Sequence, residues 1–137
     1  MDIKDELLDK IEALGYPDNE VVFTLEEFFE DNDNEFTIGV NITHNKPSPQ
    51  EFYEVMKHIT NYPEVDGIYV RVTDIEFPQE WFYSDTIYIV GDMDIERLSD
   101  ITELLYPSEI TAGWLFGVPV NVPKAHATKN VLSIYWE

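Results

Sequence analysis

At 137 residues, with 28 Asp and Glu against 8 Lys and Arg, the chain carries a formal net charge of −20. A field of that sign repels nucleic acid and anionic membranes and draws in cationic partners. Hydrophobic and aromatic shares of 44% and 14% exclude a disordered acidic tail, and the lack of cysteine excludes disulfides, thiolate catalysis and Cys-ligated zinc.

The length predicts one domain over residues 1–137, with roughly two thirds of the unfolded surface buried. The start, Met1 to Glu6, is acidic and has no apolar h-region. No run of about 18 apolar residues occurs. Both features predict a cytoplasmic protein. The charge is uneven: residues 1–35 hold 13 acids and 2 bases, residues 36–110 hold 14 and 4, and residues 111–137 hold Glu137 against Lys124 and Lys129. A buried strand in that last stretch explains its freedom from acid, since charge is costly to bury.

In chain order, Asp2 to Leu14 predicts a helix. Ile3, Leu7, Leu8, Ile11 and Leu14 form a stripe at helical spacing, Gly15 caps it and Pro17 blocks continuation. Glu20 to Glu30 alternates with period two and predicts a strand. Asp31-Asn32-Asp33-Asn34 is turn chemistry. Glu35 to Thr43 predicts the clearest strand, with Phe36, Ile38, Val40 and Ile42 on one face. These two strands are expected to form a hairpin.

Ser48-Pro49-Gln50-Glu51 predicts a capped helix start, with Phe52, Val55, Met56 and Ile59 buried. Gly67 to Phe77 and Thr86 to Val90 predict strands. Gly91-Asp92-Met93-Asp94 leads into a helix that presents Ile95, Leu98 and Leu105 and stops at Tyr106-Pro107. In the Gly- and Pro-broken stretch 108–128, Trp114 to Val122 has room for a short edge strand. Val131 to Trp136 predicts the last strand. The order α-β-β-α-β-β-α-(β)-β implies an α+β two-layer sandwich: a mostly antiparallel sheet of about five or six strands with three helices on one face.

Motifs for chemistry are lacking. An EF-hand begun at Asp31 needs Gly and Glu where Phe36 and Ile42 stand. Asp92 and Asp94 could hold a divalent ion, but Asp before a helix also caps it. His44, His58 and His126 share no ligand spacing. There is no Gly-x-Ser-x-Gly, Walker loop, Gly-x-Gly-x-x-Gly or His-Glu-x-x-His. No catalytic, metal or cofactor residue is therefore assigned.

Two features bear on function. Glu26, Glu27, Glu30, Asp31, Asp33 and Glu35 form an acidic hairpin with Phe28 between Glu26 and Glu30. Carboxylates around an aromatic suit a basic partner, the acids steering encounter and the ring anchoring it. The same acids could simply protect an edge strand from aggregation. The second feature is aromatic: Phe77, Trp81, Phe82 and Tyr83 lie between two strands, and Trp114 and Phe116 lie in the late segment. They serve either as partner anchors, above all Trp81, Tyr83 and Trp114, or as cover for the open sheet face.

With its charge, its acidic hairpin and its closing strand Ser133-Ile134-Tyr135-Trp136-Glu137, the chain resembles bacterial toxin-immunity proteins. The resemblance is one of class and carries no residue role across. It implies a non-enzymatic module that neutralises a toxin by covering a basic active-site cleft. The partner is then a basic protein such as a secreted toxin or nuclease, not nucleic acid or membrane, and the module is a monomer or homodimer. Two other readings compete: a nucleic-acid mimic that blocks a DNA-binding protein, and an enzyme or small-ligand carrier of unrecognised type.

Overall fold

The structure is a computed structural model that describes residues 3–32, 34, 36–74 and 81–137. Helix α1 spans Ile3–Ala13 and buries Leu7 and Ile11. Gly15 follows at φ +93°, the left-handed turn expected of a helix stop. Strand β1 is only Val22–Thr24, and helix α2, Leu25–Phe29, starts at once. Helix α3 spans Pro49–Thr60. Ser48 accepts the Glu51 amide at its start, and Phe52, Met56 and Ile59 are buried. Strands β2, Val65–Arg71, and β3, Thr86–Gly91, come next. Helix α4, Ile95–Ile101, is capped by Asp94 and leads into a short 3-10 turn, Glu103–Leu105. Strand β4, Glu109–Ala112, helix α5, Lys124–Ala127, and strand β5, Val131–Tyr135, complete the described elements.

The five strands run in the order β1-β2-β3-β5-β4, and every pairing is antiparallel. The fold is α+β. One sheet face carries Ile68, Val70, Ile87, Ile89 and Ile134 into the main core, where they meet Leu7, Phe28, Phe52, Met56, Leu98 and Trp136 from α1, α2, α3, α4 and the C-terminus. The other face presents Val22, Tyr69, Tyr88, Val90 and Val131 to a smaller cluster covered by Trp114, Val122 and Ala127. Strand β3 is buried at every position because both of its faces are covered. Each large side chain buried in this way contributes about 1.5–3 kcal/mol of transfer free energy. Among the described residues, no helix is long and apolar enough to cross a membrane.

Three expectations are corrected. The strand expected over Glu20 to Glu30 ends at Thr24, whose hydroxyl accepts the Glu27 amide while the Glu27 carboxylate accepts the Thr24 amide. This reciprocal capping box starts a helix and overrides the alternation before it. The stretch 35–43 forms no strand among its described residues. Ile38 makes an isolated bridge to Ser84, and Gly39 takes φ +67° as the chain turns, with the Ile42 amide donating to the Gly39 carbonyl. Among the described residues no such hairpin forms, and β1 pairs with β2 instead. Finally, the edge strand lies at Glu109–Ala112 rather than within Trp114 to Val122. The latter stretch is a strap across the second sheet face, and α2 and α5 bring the described helices to five.

Candidate functional site

Helix α2 and the two residues after it carry Glu26, Glu27, Phe28, Glu30 and Asp31 of the residues singled out from sequence. Glu26 and Glu30 stand one turn apart on its exposed side, so they share a face as helix neighbours rather than as strand neighbours. Phe28 points the other way and is 0% exposed, packed edge-on against Phe29. It cannot anchor a partner. Glu27 is also committed inside the molecule, since it holds the Thr24 amide and pairs with Lys10 of α1. Asp31 is exposed just past the helix. Asp33 and Glu35 lie outside the described residues.

The aromatic ring among these carboxylates is Tyr53, contributed by α3. It stacks on Phe29 with centroids 5.6 Å apart and ring planes within 14°. Its phenol is pushed above the ordinary tyrosine range, first by desolvation and then by the negative charges of Glu26, Glu30 and Glu54. Lys57 lies 4.3 Å over its ring and bonds Glu54 at 3.0 Å. The Lys57 ammonium is held above its usual pKa by that hydrogen bond. Nothing in linear sequence links position 53 to positions 26 and 30. Only the helical spacing of α3 beside an unrecognised α2 could have revealed it.

Helix α2 is fixed at its C-terminal end, where helix carbonyls lack intrahelical partners. The half-buried Trp81 indole donates to the Phe28 carbonyl at 2.7 Å. The Gln50 side-chain amide donates to the Phe29 carbonyl at 2.9 Å. Trp81 thus lies beside α2, but as a cap packed on Phe82. Between α1 and α2 runs a groove of about 440 Å³ lined by Ile3, Leu7 and Lys10 with Glu6, Glu26, Glu27, Glu30 and Asp31. Among the described lining residues, Lys10 is the one base beside five carboxylates. Among the described residues Glu6, Glu26, Glu30 and Asp31 form no ion pair. Tyr53 already seats Lys57, which pairs with Glu54, while Glu26 and Glu30 stand nearby with no ion pair among the described residues.

The other two aromatics are elsewhere. Tyr83 is half-buried, and its backbone exchanges hydrogen bonds with Asp74 and accepts one from Thr73. Trp114 packs on Tyr88 at 4.8 Å on the opposite sheet face. It covers that face and does not join the α2 group. Below the strap, Arg71 binds Glu20 at 2.6 Å and Asp85 at 3.0 Å, and its guanidinium lies 3.6 Å from the Phe116 ring centre. Burial opposes the Arg71 charge, but Glu20 and Asp85 outweigh it and raise its pKa. The histidines serve locally: His126 meets the Tyr69 hydroxyl at 2.6 Å and His58 meets that of Tyr62 at 3.3 Å. Asp94 caps α4, and Asp92 accepts from Asn130 at 2.6 Å.

Fold and site together define a small acidic α+β protein with a carboxylate-rich, tyrosine-centred face. The chain belongs to the uncharacterized protein YfbO family, whose model matches residues 2–134. No curated protein and no solved structure matches it.

Proposed function

We propose that this protein is a non-enzymatic binding module of the toxin-immunity kind, which inhibits a basic protein by covering its cationic cleft. The observation that carries this reading is the exposed pair Glu26 and Glu30 on α2, whose Phe29 stacks on Tyr53 of α3, on a chain of net charge −20. The long-range field speeds encounter, while a fixed ring flanked by carboxylates recognises Arg or Lys at close range. Lys57 over Tyr53 is an internal example of that contact. Rim carboxylates act mostly on the association rate, and the desolvated ring acts on dissociation.

The test begins with recovery of the partner from host lysate at low salt, followed by kinetics on the purified pair. A basic partner should associate at least roughly tenfold more slowly at high salt than at low salt. The double variant Glu26→Lys, Glu30→Lys should slow association further, and Tyr53→Ala should mainly speed dissociation. A partner that binds at a salt-independent rate, or that tolerates all three substitutions, would overturn the reading.

A further inference from the structure

A second surface adjoins the α2 face. Between α3 and the 3-10 turn lies a groove of about 400 Å³ formed by Pro47, Gln50, Glu51, Val55, Leu104 and Leu105, with Glu54 beside them. Carbon atoms line nearly all of it. Leu105 is buried beneath, whereas Leu104 is 74% exposed. Glu51 and Glu54 are exposed at its margin. A leucine this open is unremarkable alone, but beside an apolar groove it forms part of a contiguous unfilled surface.

The groove and the acidic face are one continuous region. Glu54 belongs to both, since it borders the groove and bonds the Lys57 that lies over the Tyr53 ring. Gln50 also lines the groove while its amide holds the end of α2. Side chains at 50, 51, 54 and 55 fall on adjacent rows of α3, so the apolar trough runs beside a row of carboxylates. An occupant must therefore match two chemistries at once. It needs an apolar stripe for Val55 and Leu104 and flanking cations for Glu51, Glu54, Glu26 and Glu30.

Resting on the reading above, we infer that this groove docks a basic amphipathic helix of the partner, with leucine-type side chains in the trough and lysines or arginines over the acidic margin. Helix-in-groove recognition has this form, with apolar anchors spaced i, i+3, i+4 and i+7. Charge complementarity selects the occupant: a second copy of this chain would bring like charge against Glu51 and Glu54.

Two labelled peptides of identical composition test it by fluorescence anisotropy against the full-length protein. One places its leucines on a single helical face opposite lysines; the other distributes the same residues around the helix. The amphipathic peptide should bind roughly tenfold more tightly, the discrimination expected of one buried leucine anchor. Leu104→Ser should erase that preference and leave binding of the distributed peptide unchanged. Because Leu104 is exposed, the variant should fold normally, which circular dichroism would verify. Glu54→Gln should weaken both peptides. Equal binding of the two peptides, or indifference to Leu104→Ser, would overturn the groove assignment and leave the acidic-face reading standing. Failure of both peptides to bind at low salt would overturn both.

Discussion

Asn121 closes both backbone hydrogen bonds of Val22. The Val22 amide donates to the Asn121 side-chain oxygen at 3.0 Å, and the Asn121 amide donates to the Val22 carbonyl at 2.7 Å. A single side chain thus does for the β1 edge what a neighbouring strand would do. Val22 is buried, so its N–H and C=O cannot turn to water if Asn121 is lost. Asn121→Ala should therefore destabilise the fold by about 2 kcal/mol, measured by urea denaturation. Asn121→Asp should cost at least as much, because a carboxylate cannot donate to the carbonyl. A loss below roughly 0.5 kcal/mol for both would mean that water replaces the clamp.

Two glycines with positive φ should respond differently to alanine. At Gly91, φ is +138° and an added Cβ would lie 2.0 Å from the Glu64 carbonyl oxygen. That oxygen is fixed by the Asp92 amide at 3.1 Å, so it cannot yield freely. Gly91→Ala should cost about 3 kcal/mol or more. Gly117, at φ +90°, has open space around its Cβ position. Gly117→Ala meets only backbone strain and should cost about 1 kcal/mol. Thermal melts of the pair would check this, and equal losses would refute it.

The interior glutamate–arginine–aspartate group gives a third expectation. Arg71 pairs with both Glu20 and Asp85 beneath Phe116; the Arg71 and Asp85 side chains are largely shielded from water, and Glu20 is 31% exposed. Arg71→Ala should destabilise by about 3 kcal/mol, since it strands two carboxylates as well as removing the pairing. Arg71→Lys should recover only part of this, because one ammonium cannot hold Glu20 through two nitrogens as Arg71 does. Full rescue by lysine, read as the urea midpoint, would show that charge alone matters.

These sites differ in how plainly the sequence announced them. Helices α1, α3 and α4 were legible because stripe, cap and stop agree at each: Ser48 with Pro49, Asp94 before Ile95, Gly15 after Leu14. Strand β2 was legible from alternating apolar residues, and β3 and β5 from short apolar runs that are buried almost throughout. The first acidic segment misled because Val21 to Leu25 alternates while Thr24 and Glu27 spell a capping box, and the local hydrogen bonds decide. Phe36 to Ile42 alternates equally well, but Gly39 turns the chain out of any ladder. Tyr53 was missed because its place beside Glu26 and Glu30 depends on α2 being a helix packed on α3. Trp114 was legible only as one of two alternatives, and it proved to cover the sheet.

Tyr88 supports a prediction about pH. Its ring is fully buried under Trp114, and its hydroxyl has no hydrogen-bond partner among the described residues. Desolvation pushes its pKa up to about 12; Arg71 and the nearby Phe116 amide, which does not reach bonding geometry, pull the other way. The proton is therefore held more tightly in the folded state than in the unfolded state. Between about pH 10 and 12 the unfolded chain has released it while the native state retains it, so stability falls as pH rises. Below that window the contribution is fully present. Tyr16, Tyr53 and Tyr69 are also shifted upward and add to the alkaline loss. Tyr88→Phe removes one titrating group together with an unsatisfied buried hydroxyl. It should raise stability at neutral pH by about 1 kcal/mol and make the decline between pH 10 and 12 shallower by about 2–3 kcal/mol. Urea midpoints across that range would measure both effects, and a destabilised variant with an unchanged alkaline slope would show that the hydroxyl is satisfied in solution.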